Sequence, residues 1–158
     1  MKSNQYQYRL LEGPKAICLV AVQSARRSNQ ALHLTILYAS LDDYPPYAAL
    51  SCEWRNERPW RLIDVDESSS ILVTSNCFGA LIRLRLKKGW HIHWVDAICI
   101  NQEDVQERNA QVSMMINIYQ HADRTIVWLG NDSLDSQRVL RFLSRASFFY
   151  RHSCLQRL

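Results

Sequence analysis

Two short apolar runs, residues 90–100 and 125–129, flank a segment in which Val105, Val112, Met115, Ile116 and Tyr119 recur at three- and four-residue spacing. That spacing places the five on adjoining helix turns and predicts a helix up to His121, with polar residues 101–104 leading into it. The flanking runs are too short and too β-rich for helices and read as strands. Upstream, Ser75 or Asn76 is suited to cap a helix reaching residue 88, with Phe78, Leu81, Ile82 and Leu86 on one side and Gly89 as its stop. Ser133 or Asp135 would open a last helix. Helix, strand, helix, strand, helix in succession argues for a parallel sheet with helices on its faces.

The first half reads differently. Residues 16–22 and 32–39 are β-like and separated by a polar stretch, which predicts a hairpin. Pro45 and Pro46 break the chain because they supply no backbone donors. Residues 47–52 read as a buried strand, and residues 60–65 with 71–73 as a second hairpin around 66–70. At 158 residues the chain has the size of one domain. Residues 1–14 form an N-terminal tail in this reading, 15–135 the domain, and 136–158 a basic amphipathic helix or the start of a downstream region.

Charge narrows the partners. The formal charge is +4, but residues 138–158 hold five arginines and no acid, leaving residues 1–137 with fourteen bases against fifteen acids, a formal −1. A near-neutral body argues against a nucleic-acid partner. Arg138, Arg141 and Arg145 form a basic stripe that reads first as a solvated helix face. Five cysteines without a Cys-x-x-Cys pair read as reduced, buried thiols. No apolar leader opens the sequence and no run reaches membrane-spanning length, so a cytoplasmic location is expected. His91 and His93 stand two apart on a strand without a third ligand at metal spacing, so an exposed strand face is expected rather than a metal site.

The block Trp94-Val95-Asp96-Ala97-Ile98-Cys99-Ile100-Asn101-Gln102, followed by Asp104, Glu107-Arg108, Gln111-Val112, Met115, Ile118-Tyr119, Ala122 and Val127-Trp128-Leu129-Gly130, resembles the fungal heterokaryon incompatibility (HET) domain. Residues 47–54, Tyr-Ala-Ala-Leu-Ser-Cys-Glu-Trp, resemble that family's first motif, and residues 73–83 its middle helix. The chain departs from the pattern at Cys52, where the family usually has Tyr, and at Arg55, where it usually has Gly. The resemblance implies non-self recognition and regulated cell death at fungal cell fusion. It also implies a distant likeness to the Toll/interleukin-1 receptor (TIR) fold, a flavodoxin-like core, some of whose members cleave NAD between nicotinamide and ribose. The expected architecture is therefore α/β, a mixed and mainly parallel sheet flanked by helices, with an N-terminal β-hairpin.

Ligands of open parallel sheets bind beyond the carboxyl ends of the strands. Ser51 and Trp54 follow one expected strand there, and Asp96, Asn101 and Gln102 follow another and lead to the helix bearing Glu107. At 100° per residue Glu107 shares a side with Met114 and Ile118, opposite Val105, Val112 and Ile116, so it is expected to face protein or a crevice. For nicotinamide release Glu107 would be the essential carboxylate, stabilising an oxocarbenium-like transition state. Asn101 and Gln102 would hold ribose or amide groups and Trp54 would stack on a flat ring, with Ser51 and Asp96 completing the wall. The plainer reading gives Asp96, Asn101 and Asp104 capping and loop roles, Glu107 an ion pair, and Trp54, Trp94 and Trp128 core roles. NAD enters only as a substrate, with no resident cofactor or metal. The alternatives are a non-enzymatic module that self-associates or binds a partner incompatibility protein, or an inactive, truncated family member.

Overall fold

The computed structural model describes residues 4–25, 30–52, 60–66, 68–85, 91–128 and 130. Eight strands form one sheet in the order β1-β6-β5-β3-β2-β7-β4-β8. They are β1 (Asn4–Gln5), β2 (Ala16–Val22), β3 (His33–Ser40), β4 (Ala48–Cys52), β5 (Trp60–Val65), β6 (Ser69–Thr74), β7 (His91–Val95) and β8 (Arg124–Trp128). The helices are α1 (Ser75–Arg85), the single turn α2 (Asp96–Cys99) and α3 (Val105–His121).

Both expected hairpins form. β2 and β3 share seven antiparallel pairs, and β5 and β6 share six. The β5–β6 turn sets Asp66 at φ +52°, a left-handed conformation that Asp tolerates through local hydrogen bonding. The expectation of a mainly parallel sheet is corrected. The sheet is mixed and its two longest ladders are antiparallel, while parallel pairing is strongest in the trio β7-β4-β8. The physical reason is that hairpins need only short connections, whereas parallel neighbours need crossovers, and only the second half of the chain supplies helical ones.

All seven residues of β2 are buried, as befits a strand covered on both faces. Side chains alternate along β4, so Tyr47, Ala49 and Ser51 point to one face and Leu50 and Cys52 to the other. The first face carries α3: the Tyr47 hydroxyl donates to the Ile118 carbonyl at 2.5 Å, and the Trp94 and Tyr119 rings meet edge to face at 5.5 Å. Gln111 fastens the middle of α3 by donating from Nε2 to the Ala16 carbonyl at 2.9 Å. The opposite face carries α1, whose Cys77, Ala80, Leu81 and Leu84 are buried.

α3 spans the residues expected of it. Its buried side holds Gln111 and Ile118, while Val105, Val112 and Ile116 are 56%, 53% and 71% exposed. The Glu107 side therefore faces protein and the apolar stripe faces outward. Asp104 caps α3 by accepting from the Gln106 and Glu107 amides at 2.9 and 3.0 Å. Asp104→Ala will cost about 1 kcal/mol of unfolding free energy, read as a lower urea midpoint with an unchanged slope.

α1 is capped by Thr74 rather than Ser75 or Asn76: the Thr74 hydroxyl accepts from the Cys77 amide at 3.2 Å. β6 thus passes into α1 with its last residue serving both elements. The expected continuation to residue 88, the stop at Gly89, and the last helix and arginine stripe lie outside the described residues. Four cysteines, Cys18, Cys52, Cys77 and Cys99, are buried free thiols, and Cys154 lies outside the described residues. His91 and His93 do not form an exposed face. β7 is an interior strand between β2 and β4 with its faces covered by packed elements, and His93 is 1% exposed and His91 half-buried.

Candidate functional site

Residues 5–8 run as Gln-Tyr-Gln-Tyr, a period-two pattern that sends both tyrosines to one side of an extended strand. β1 adds to β6 in parallel, and the segment after it continues along the sheet, where the Tyr8 hydroxyl donates to the Ile98 carbonyl at 3.0 Å. Tyr6 and Tyr38 hydroxyls meet at 2.8 Å. Burial, joined by the Tyr38 hydrogen bond, raises the Tyr6 phenol, and burial beside Cys99, Cys18 and Glu107 raises that of Tyr8. Both remain neutral hydroxyls at any physiological pH.

These tyrosines form one wall of a cavity of about 500 Å³. β6 supplies a second wall through Ile71, Val73 and Thr74, with Trp60 of β5 beside it. The floor is Cys52 at the end of β4 and Ala97 in α2, and Asn101, Gln102 and Glu103 close the remaining side. The cavity therefore lies at the carboxyl ends of the adjacent parallel strands β4 and β7, where such crevices form. Its polar lining consists largely of neutral amides and hydroxyls, suited to orienting a planar, hydrogen-bonding group.

The sequence-derived site residues divide around this cavity. Asn101 and Gln102 line it. Asp96 and Glu107 do not line it; from α2 and from α3 they hold the loop between those two helices. Gln102 Nε2 donates to the Asp96 carbonyl at 3.1 Å, and the Asn101 amide donates to Glu107 Oε1 at 2.9 Å. The Asp96 carboxylate accepts from the Ala97 amide at 2.8 Å, and Asn101 Oδ1 accepts from the Glu103 amide at 3.1 Å. No salt bridge joins Glu107 to Arg108 among the described residues; the Arg108 guanidinium donates to the Gln102 carbonyl at 3.4 Å.

Ser51 is placed apart. It points to the α3 face and hydrogen-bonds Tyr119, whose phenol is raised by burial, lowered by that bond, and raised again by the Asp96 charge. Its neighbour Cys52 takes the place beside the cavity. Trp54 lies outside the described residues. Asp96 thus influences both faces: its charge reaches Tyr119 on one and Cys52 and Cys77 on the other.

Tyr6, Tyr8 and Thr74 line the cavity, although sequence reasoning assigned them elsewhere. The Gln-Tyr-Gln-Tyr alternation was the available signal for the first two. At the far end of the trio, Trp128 donates from Nε1 to Asn76 Oδ1 at 3.0 Å, tying β8 to the first turn of α1. Gly130 follows at φ +95°, a conformation open to glycine, with a Cβ at that position 3.5 Å from Asn76 Oδ1. Among the described residues no group of three or more His, Cys, Asp or Glu side chains could hold a metal ion. No helix among them is long and apolar enough to cross a membrane.

A mixed α/β domain with a crevice at the carboxyl edge of its parallel strands defines the structural class. Residues 47–156 match the family described as "Heterokaryon incompatibility protein (HET)". The chain is also 32% identical over 130 residues to "Heterokaryon incompatibility protein 6, OR allele" of Neurospora crassa, an alignment covering 72% of this chain and 18% of that protein. The chain belongs to the heterokaryon incompatibility (HET) family. It spans about a fifth of the length of the curated relative it matches. No solved structure matches it.

Proposed function

We propose that this chain is the HET domain of a fungal incompatibility protein, a module of non-self recognition that drives regulated cell death by hydrolysing NAD. The family match and the Neurospora relative support the incompatibility role. The cavity at the carboxyl ends of β4 and β7 is the observation that carries the chemical part. This reading takes the parallel trio as the counterpart of a TIR-like core.

In this proposal the rings of Tyr8 and Trp60 flank the flat nicotinamide, and the Asn101 and Gln102 side chains hydrogen-bond carboxamide and ribose. Trp54 would add a stacking surface, and Ser51 would act through Tyr119 behind the wall. Breaking the bond between nicotinamide and ribose leaves positive charge on the sugar, which water then captures at the anomeric carbon. A carboxylate near that carbon stabilises the charge. Glu107 is the assigned carboxylate; it holds the Asn101 amide from behind the cavity wall, so its charge would act across that wall.

The hydrogen bond from Asn101 makes one substitution especially informative. Glu107→Gln keeps an oxygen for the Asn101 amide and removes only the charge. Nicotinamide release from NAD by the purified protein, concentrated enough to self-associate, is expected to fall at least about tenfold in Glu107→Gln at unchanged thermal stability. Equal release by both proteins rejects the catalytic assignment. No release under any assembly condition favours the module that signals by self-association or by binding a partner incompatibility protein, for which the outward stripe of Val105, Val112 and Ile116 is a suitable surface.

A further inference from the structure

The end of β4 and the first turn of α1 bring two sulfurs together. Cys52 and Cys77 lie 25 positions apart in sequence, yet Cys52 pairs in register with Trp128, whose indole donates to Asn76 Oδ1 at 3.0 Å beside Cys77, and the two thiols share a hydrogen bond between the sheet and the helix packed on it. The two are unequal. Cys52 lines the cavity, while Cys77 is fully enclosed. The hydrogen bond from Cys77 lowers the Cys52 thiol, and the same bond together with burial raises that of Cys77. A small solute in the cavity therefore meets the Cys52 sulfur first, with the second in reserve behind it.

We propose that Cys52 and Cys77 form a peroxide-sensitive thiol pair, in which Cys52 is the sulfur attacked and Cys77 the one that resolves it. In the first step the Cys52 thiolate attacks one oxygen of a hydroperoxide. A sulfur–oxygen bond forms, the oxygen–oxygen bond breaks, and water or an alcohol leaves after taking up a proton, giving a sulfenic acid. In the second step Cys77 loses its proton and attacks the Cys52 sulfur, expelling hydroxide, which that proton converts to water. The dithiol is oxidised by two electrons to a disulfide and the peroxide is reduced by two. The crosslink ties the carboxyl end of β4 to the first turn of α1 at the wall of the cavity, where Thr74 also lies. Cys18 and Cys99, also hydrogen-bonded to each other, are both buried, and neither lines this cavity among its described residues. They serve as the internal control. The pair is independent of any reaction on NAD.

Treating the reduced full chain with hydrogen peroxide, blocking with N-ethylmaleimide and mapping the digest by mass spectrometry tests the pairing without any substitution. The expected first product is the Cys52 peptide joined to the Cys77 peptide, formed at least about tenfold faster than any change at Cys18 or Cys99. In Cys77→Ser the sulfenic acid at Cys52 accumulates and is captured by dimedone, and in Cys52→Ser no dimedone adduct or crosslink forms at Cys77. The proposal is overturned if Cys52 stays reduced while the circular dichroism spectrum is native, if it pairs with a different cysteine, or if the link forms only in denaturant.

Discussion

Replacing Trp94 with alanine will lower the unfolding free energy by about 3–5 kcal/mol, among the largest losses a single truncation can cause here. Trp94 is completely buried on β7, pairs with Ala49 of β4 in register, and meets Tyr119 edge to face. Its removal opens a cavity between the sheet and α3, beneath the helix that carries Glu107. For a domain of this size the loss corresponds to roughly 10 °C in melting temperature. Trp94→Phe separates two contributions. It keeps most of the ring packing and deletes an indole N–H that has no hydrogen-bond partner among the described residues. Its cost should be less than half that of alanine. Urea unfolding of the three proteins measures both, and an alanine loss below about 1 kcal/mol would show that α3 does not depend on this contact.

Acid will destabilise the protein well before its carboxylates are all protonated. Burial, with His91 and the Arg124 guanidinium nearby, holds His93 at about 4, against an ordinary histidine value of 6.5; a backbone contact with Ala48 opposes this. Between these values the unfolded chain binds a proton at His93 and the folded chain does not. Stability is therefore full above pH 6.5 and declines as the pH falls toward 4. The shift corresponds to about 3 kcal/mol once the decline is complete. Urea midpoints measured from pH 7.5 to 4 should show the decline, and His93→Gln should lose the part of the slope below pH 6.5. A variant with the wild-type slope assigns the acid sensitivity to other groups.

α3 was legible to the residue, because its period-3.6 pattern and the Asp104 cap agree. Which side it buries was legible only through Glu107, Met114 and Ile118: apolar residues on both sides make periodicity ambiguous, and tertiary packing chose the side with Gln111. The hairpins were legible from their turns. The mixed character of the sheet was not, since β3 pairing with β5 and β1 with β6 depends on contacts far apart in sequence. The same limit governs the site. Asn101 and Gln102 were placed by their position after a strand, whereas the choice of Cys52 over Ser51 for the cavity wall rests on which face α1 covers, a matter of one residue in strand phase. His93 shows the converse error. A histidine pair on a strand reads as solvent-facing until the strand is known to be interior and its face covered.

The participation of residues 5–8 in the cavity wall has a practical corollary. An affinity tag, fluorescent partner or bulky label inserted within this stretch would sit in the crevice wall and could obstruct it or mimic its occupant. Recombinant versions meant for ligand screening are better labelled elsewhere on the polypeptide.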